Sequence, residues 1–413
     1  MLMIYLDHAA ATPVDKRVLQ AMEPCFTEDF FNPSAAYLPA KKMASEYESA
    51  KGVIAHAIGA KTSDLIITAG ATEANNLAFT AISLDESRQS LSSPASQDSV
   101  GHPPHSCHPS VLYLVTEHDS VRRVAERYGG QAIDVLLNGL IDLSDLRKKI
   151  TDETELISVS LANNELGTIQ PIAEVSQIIR EVKLDRMKRG LKRQLLLHSD
   201  ASQALNLLDI NVARLGVDLL TLNAAKVYGP KGVGALYVSH DVRLHPLTFG
   251  GGQENGLRSG TENVPGVIGF AKAILLTKEH LNGNRKKYAA WKKSFLSELS
   301  DYELINDRHS LDNFVVVCFK GLDAERLVFL LEEREVYVAT GAACAASKGV
   351  RSHALKAIGL TDEQIAGSLR ITFGETNDEA QIHEAAKIIN EVVAGERERI
   401  NKSAAAKKEL AND

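Results

Sequence analysis

Short apolar runs alternate with helical patterns through the first two-thirds of the chain. The apolar runs predict six strands, at residues 64–68, 111–115, 156–161, 194–198, 217–222 and 234–238. A helical spacing of apolar residues predicts helices at residues 72–82, 120–128 and 172–182. Strands separated by helices indicate an α/β domain with a mostly parallel sheet between two layers of helices. Ligands on such sheets bind beyond the carboxyl ends of the strands.

After about residue 263 the pattern changes and predicts a second, smaller α+β domain. A long helical pattern covers residues 265–299, and a strand is predicted at 313–319. We therefore expect a large domain at 15–262 and a small domain that combines 1–14 with 263–395. The Ser-, Pro- and His-rich residues 84–110 predict a flexible insertion in the large domain. The charged, Ala-rich residues 396–413 predict a solvated helix end or a disordered tail.

The composition narrows the class of protein. The 413 residues are 44% hydrophobic and 24% charged, which is normal for a folded soluble chain with more than one core. The net charge of −7 gives no indication of binding to nucleic acid or to an anionic membrane surface. The N-terminus lacks the basic start of a signal peptide, and the chain has no apolar run of about 18 residues that could span a membrane.

The four cysteines are widely spaced and form no CxxC pair, which argues against a disulfide framework or a structural zinc site and fits a reducing cytoplasm. Cys344 lies among small residues, where an accessible thiolate can act as a nucleophile. Cys318 lies in an apolar run and is expected to be part of the core, and Cys25 is also expected to be structural. Cys107 lies in the insertion with three histidines, where a metal site is conceivable, although flexible segments of this kind usually bind nothing.

Two residues after predicted strands suggest a pyridoxal-phosphate site. Lys226 lies four residues after the strand at 217–222, where a lysine can form a Schiff base with an aldehyde cofactor, although a lone loop lysine is usually a surface residue. Asp200 follows the strand at 194–198. A carboxylate there keeps a pyridine nitrogen protonated, but Asp is also a common helix N-cap. Gln203, one helical turn later, could reach the cofactor phenolate.

Three further positions are candidates for binding or proton transfer. Gly70, Ala71 and Thr72 form a strand-to-helix turn whose backbone N–H groups attract phosphate, although many strand–helix turns look the same. His118 follows a predicted strand and could stack on a flat cofactor, or it could be a structural histidine. Arg370 in the second domain suits a substrate carboxylate, or it could form a surface ion pair.

Taken together and in this order, the motifs resemble those of the cysteine desulfurases of the NifS/IscS type. These enzymes have the aspartate-aminotransferase-like fold (fold type I), with a large domain built on a mostly parallel seven-stranded sheet. The resemblance covers about residues 4–380. The matching motifs are YLDHAA at 5–10, NPS at 32–34, GATEANN at 70–76, EH at 117–118, ANNELG at 162–167, HSDASQ at 198–203, KVYGPKG at 226–232, GGGQE at 250–254, RSGTEN at 258–263 and GAAC at 341–344.

The resemblance implies that pyridoxal 5'-phosphate is the cofactor and that Lys226 holds its aldehyde. It implies that Asp200 faces the pyridine nitrogen and that His118 stacks on the ring. Gln203 would face the ring oxygen, and Asn164 would contact the ring and the substrate nearby. These assignments are expectations from the family and not results of spacing or composition.

The resemblance also implies roles for the phosphate and substrate sites. Thr72, with the turn before it, would bind the phosphate, joined by Thr261 from the other subunit of a homodimer. Arg370 would bind the carboxylate of L-cysteine. Cys344 would take the substrate sulfur as a persulfide, release alanine and pass the sulfur to an acceptor protein in iron–sulfur cluster assembly or tRNA thiolation.

The chain departs from the family pattern at four positions. Ala225 stands where a His usually precedes the Schiff-base lysine, and Asn223 stands where a phosphate-binding Ser is usual. Tyr37 takes the place of a common His, and Glu375 takes the place of a usual Arg. Losing a phosphate contact would lower cofactor affinity by roughly 0.5–1.5 kcal/mol per neutral hydrogen bond.

Three alternatives remain open at this point. The segment 84–110 and the sequence around 117–120 look somewhat like a selenocysteine lyase, which the ratio of rates on selenocysteine and cysteine would distinguish. An aminotransferase on the same fold would leave Cys344 without a role. The substitutions at 223 and 225 would also fit a catalytically weak scaffold that binds sulfur-transfer partners, and such a protein would stay colourless with the cofactor.

Overall fold

The computed structural model describes residues 3–82, 110–306, 309–341 and 352–410. The insertion at 84–110, apart from its last residue, therefore lies outside the described residues, as does Cys344. Within the described ranges, no helix is both long enough and apolar enough to cross a bilayer.

The largest sheet within the described residues has seven strands. Its order is β2-β8-β7-β6-β5-β3-β4. The strands are β2 Leu65–Thr68, β3 Val111–Leu114, β4 Gln131–Ile133, β5 Leu156–Ser158, β6 Leu196–Asp200, β7 Leu219–Asn223 and β8 Gly234–Val238. Neighbouring strands run parallel except at β8, which is antiparallel to both β2 and β7. The six predicted strands are confirmed, β8 with its predicted ends and the others with shifted ends, and β4 is an addition.

Helices cover both faces of this sheet, which is why most of its strands are continuous apolar runs. In chain order the helices are α1 Lys16–Met22, α2 Pro24–Thr27, α3 Leu38–Ala57, α4 Ala71–Ala78, α5 Asp119–Arg127, α6 Leu143–Lys149, α7 Ile172–Lys188, α8 Val212–Leu215, α9 Val264–Glu298, α10 Ala324–Glu332, α11 His353–Ala357, α12 Asp362–Ala366 and α13 Glu379–Leu410. The N-terminal half of α9 is buried and packs against α1 and α3.

The C-terminal part contains two smaller sheets. Four antiparallel strands are ordered β12-β13-β10-β9. They are β9 Glu303–Leu304, β10 Phe314–Cys318, β12 Ala339–Thr340 and β13 Ser368–Thr372. The N-terminal strand β1 Ile4–Tyr5 pairs in parallel with β11 Val336–Tyr337, so the start of the chain is held by its C-terminal part.

The last helix, α13, runs without a break through residue 396, where we expect the charged tail to begin. Glu396 is buried and accepts hydrogen bonds from Arg399 and Arg326, and these contacts lower the pKa of its carboxyl group. Residue 396 is therefore held in the fold by ion pairs.

A buried ion pair joins α3 to the loop that follows β8. Lys51 Nζ donates to Glu254 Oε2 over 2.8 Å, and both side chains are only 6% exposed. Tyr47 Oη and the backbone N–H of Ile67 donate to the same carboxylate, over 2.5 and 2.8 Å. These contacts hold Glu254 at a positive φ of 49° in the loop that carries the GGGQE motif.

Replacing Lys51 by methionine should strongly destabilise the fold, because Glu254 would keep a buried charge without its partner. The expected loss is about 3–5 kcal/mol of unfolding free energy, measured by denaturant titration. Lys42→Met is the matched control on the same helix, since Lys42 pairs with Asp29 at the surface, where a pair contributes about 0–1 kcal/mol. Equal effects of the two variants would contradict this interpretation.

Candidate active site

Two of the candidate turns, one at Gly70 and one that presents Lys226, lie where β2, β7 and β8 meet. Thr68 at the end of β2 and Asn223 at the end of β7 both pair with Gly234, the first residue of β8. A Cβ at Gly234 would lie 2.8 Å from Gly70 Cα, so only glycine permits this approach. The turn after β2 therefore lies beside the turn that leads from β7 to Lys226.

Lys226 closes the 3₁₀ turn Ala224–Lys226, directly after β7. Its Nζ donates to the backbone carbonyls of Ala9, over 2.8 Å, and Ala10, over 2.5 Å. Gln203 Nε2 donates to the same Ala9 carbonyl over 3.0 Å. The structure therefore brings Lys226 and Gln203 together against the N-terminal segment, which forms one wall of the site.

Asn223 and Ala225 occupy the turn where the chain departs from the family pattern. Asn223 Oδ1 accepts a hydrogen bond from the backbone N–H of Ala225 over 3.2 Å. The asparagine therefore caps the turn that presents Lys226. This contact gives the substituted side chain a structural role that does not depend on phosphate.

Asp200 is the last residue of β6 and is 7% exposed. Its Oδ2 accepts from Asn75 Nδ2 and its Oδ1 accepts from the Ser202 backbone N–H, each over 2.8 Å. A buried carboxylate with two donors, at the edge where ligands bind, fits the protonated ring nitrogen of pyridoxal phosphate.

Glu117 lies next to Asp200 and is fully buried. Burial, and secondly the charge of Asp200, raises the pKa of Glu117 to about 8. Its Oε1 accepts from the Ser160 backbone N–H over 2.6 Å. Because this pKa lies above neutrality, the Glu117 carboxyl group is mainly protonated at pH 7.

His118 is the N-cap residue of α5 and is exposed. Its Nδ1 accepts from the Ser120 backbone N–H over 3.1 Å and lies 2.9 Å from Ser120 Oγ. Ser120 Oγ accepts from Asn75 Nδ2 over 2.8 Å. His118 and Asp200 are thus connected through Asn75 and Ser120, two residues to which the sequence analysis assigns no role.

The turn at Gly70 provides the chemistry for binding a phosphate. Gly70 is the N-cap residue of α4, with φ of 145°, and it has no side chain that could fill the space before the helix. Free N–H groups in the first turn attract anions, and the exposed Thr72 adds a hydroxyl. Glu73 in the same turn accepts from the Ala69 N–H over 2.5 Å and from Arg258 Nε over 3.0 Å, so its charge is paired.

Arg370 lies in β13 and is 3% exposed. Its Nη1 donates to the Asn164 carbonyl and its Nη2 donates to Asp7 Oδ1, each over 2.7 Å. Its buried Nε has no hydrogen-bond partner among the described residues. A guanidinium held on one side, with a donor remaining, suits recognition of a carboxylate.

Hydrogen bonds hold the described residues on both sides of the segment that contains Cys344. The Gly341 N–H donates to the Ser368 carbonyl over 2.9 Å. On the other side, Ser352 Oγ donates to the Glu165 carboxylate, and His353 Nε2 lies 2.9 Å from the Glu117 carbonyl oxygen. Both flanks are thereby joined to strands and turns that also carry Arg370 and His118.

Two cysteines lie within the described ranges, and neither is a good nucleophile. Cys318 is fully buried in β10 and Cys25 is partly buried, and burial raises the pKa of both thiols. The structure also holds no cluster of metal-ligating side chains in the part of the chain that it describes. Cys107 and its neighbouring histidines lie outside that part.

Comparisons with known proteins agree with this geometry. The aminotransferase class-V family matches residues 4–384. Cysteine desulfurase IscS 1 of Archaeoglobus fulgidus is 34% identical over 400 residues, covering 95% of this chain and 97% of that protein.

Two solved structures have the same fold. A NifS-like protein superposes with a TM-score of 0.83 at 29% identity, covering 95% of this chain and 100% of the other. SspA in complex with cysteine gives a TM-score of 0.74 at 31% identity, covering 89% and 98%. Enzymes of this family depend on pyridoxal phosphate. The chain therefore belongs to the aminotransferase class-V family, in the group of NifS- and IscS-type cysteine desulfurases.

Proposed function

We propose that the chain is a cysteine desulfurase that converts L-cysteine to L-alanine and holds the sulfur as a persulfide on Cys344. The observation that carries this proposal is the meeting of Lys226, Gln203 and the Asp200–His118 network at one edge of the sheet. A related protein whose structure contains cysteine supports the choice of substrate.

The cofactor, when bound, would withdraw electrons from the Cα of a substrate joined to its aldehyde carbon through the amino nitrogen. Lys226 would hold it, and Asp200 would keep its ring nitrogen protonated. Thr72 and the N–H groups that follow Gly70 would bind its phosphate, with Ala71 in the same turn. Gln203 would donate to the ring oxygen, because its amide already points to the same wall as Lys226.

Arg370 would bind the substrate carboxylate, and Asn164 would contact the ring and substrate from the turn that accepts from Arg370. The Cys344 thiolate would attack the substrate sulfur, so that an S–S bond forms as the C–S bond breaks. The substrate Cβ then gains a proton, and the products are alanine and the Cys344 persulfide. A thiol on the acceptor protein would take the terminal sulfur in a second exchange.

The working unit in this proposal is a homodimer in a reducing cytoplasm. Thr261 is exposed on the described chain and lies in the loop tied down by Glu254. It is therefore free to serve the phosphate site of a second copy. The same stretch of chain carries Phe249, which is 84% exposed and would be covered by such a partner.

The experiment that tests the proposal combines a spectrum with a product assay. The protein is purified with pyridoxal phosphate, its visible spectrum is recorded, and alanine and sulfide are measured after addition of L-cysteine and dithiothreitol. A yellow protein that forms both products in equal amounts is expected. A yellow protein with much faster turnover of L-selenocysteine would redirect the proposal to a selenocysteine lyase, and a colourless protein would support a scaffold.

A further inference from the structure

Hydrogen bonds through Asn75 and Ser120 connect Asp200 to His118. The donor and the acceptor of each bond can be assigned, and the assignment determines which nitrogen of His118 carries the proton. Asn75 is fully buried on the sheet-facing side of α4, and its amide bonds to Asp200 Oδ2 and to Ser120 Oγ. A carboxylate accepts hydrogen bonds and does not donate them. The amide nitrogen of Asn75 must therefore face Asp200, because the flipped amide would place two acceptor oxygens together.

The orientation of Asn75 determines that of Ser120. An amide NH₂ only donates, so Ser120 Oγ is the acceptor in its bond with Asn75. The hydroxyl hydrogen of Ser120 is then free to point to another acceptor, and His118 Nδ1 lies 2.9 Å away.

His118 Nδ1 must be the acceptor in this contact. The backbone N–H of Ser120 already points to the same nitrogen over 3.1 Å, and this N–H would collide with a proton on Nδ1. With Nδ1 accepting from two donors, the proton of the neutral imidazole lies on Nε2.

We propose that Asn75 and Ser120 are positioning residues that lock His118 in its Nε2–H tautomer and tie its ring to Asp200. The consequence of this tautomer rests on the proposed function. In that function, the Nε2–H group would be a proton donor in the site where His118 stacks on the cofactor. Asn75 would hold two groups of the site at once, one through each amide hydrogen.

The test is ¹⁵N NMR of histidine-labelled protein with bound pyridoxal phosphate, at a pH where His118 is neutral. The chain has 13 histidines, so the His118 signals are assigned by their loss in His118→Gln. Wild type should show a protonated Nε2 and an acceptor Nδ1. Ser120→Ala should shift the signals towards a mixture of tautomers, and Ser120→Thr should restore them. Asn75→Ala should reproduce the effect of Ser120→Ala, although Asn75 does not touch His118.

The matched control is Ser144→Ala. Ser144 donates through its N–H and its hydroxyl to Asp142 at the start of α6, which is the same arrangement that Ser120 has with His118. Its loss should leave the His118 signals and the turnover of cysteine unchanged. Ser120→Ala should lower kcat about tenfold with KM within about twofold.

Unchanged His118 signals in Ser120→Ala and Asn75→Ala would overturn the inference, as would a wild-type proton on Nδ1. The NMR result does not depend on desulfurase activity. A protein with the expected tautomer that makes no alanine would therefore refute the proposed reaction and leave the tautomer assignment intact.

Discussion

Lys226→Ala should lower the rate of alanine formation by about a thousandfold or more, because a Schiff base with the cofactor aldehyde needs an amine, and Lys226 is the amine that the described residues bring to the site. The variant should also lose its yellow colour on dialysis, because the cofactor would be bound only by its phosphate and ring contacts. Alanine and sulfide assays, with visible spectra before and after dialysis, measure both effects.

Lys231→Ala is the matched control for this variant. Lys231 lies five residues later, is exposed, and makes one long contact of 3.4 Å to the Thr12 carbonyl. Its replacement should leave colour and rate close to wild type. Circular dichroism should show that Lys226→Ala folds, since its amine also bonds to the N-terminal segment. If Lys226→Ala kept more than a tenth of wild-type activity, Lys226 would not be the residue that holds the cofactor aldehyde.

Cys344→Ala should abolish sulfide and alanine release from L-cysteine, with a loss of about a thousandfold, while the bound cofactor keeps its visible spectrum. The reason is that the thiolate attacks the substrate sulfur, and no hydroxyl or backbone group can replace it. Product assays under reducing conditions, together with mass spectrometry for a persulfide on Cys344 in wild type, measure the effect.

Cys25→Ala provides the comparison for this thiol. Cys25 is partly buried, and burial raises its thiol pKa, so its loss should leave the rate unchanged. Sulfide production that survives in Cys344→Ala and falls in Cys25→Ala would show that Cys25, and not Cys344, is the nucleophile. Production that survives in both variants would mean that no persulfide on these two cysteines is needed.

The central strands are buried between two layers of helices, so their sequences are apolar runs. These runs made the strands predictable from sequence. The predicted end of β6 at His198 was too early, since Ser199 and Asp200 are also inside the strand although they are polar. Apolar pattern alone cannot extend a strand over polar residues. In this sheet Ser158 Oγ and Thr221 Oγ1 bond to the His198 ring, which satisfies it in the core.

Site residues could be predicted from sequence only where a motif of the family assigns them a role. Lys226 and Gln203, two residues that the sequence analysis names, bond to the same Ala9 carbonyl. Asn75 lies in the GATEANN motif but receives no role from it, and Ser120 carries no signal beyond a polar residue in a helical pattern. The strand β8 was predicted, but its antiparallel direction was not, because the direction of a strand depends on its connections and not on its composition. The carbonyls of Ala9 and Ala10 have no sequence signature, since any residue provides a backbone oxygen.

The N-terminal segment that forms the wall of the site has a consequence for protein synthesis. Asp7 contacts Arg370 across 363 positions of the chain, and β1 has no strand partner until β11 has been made. A nascent chain therefore cannot close this wall while it is being translated, even when the central sheet is complete. In a chain whose translation stops before β13, the carbonyl groups that bind Lys226 would not be held in place. Nearly the whole chain must therefore leave the ribosome before the site can form.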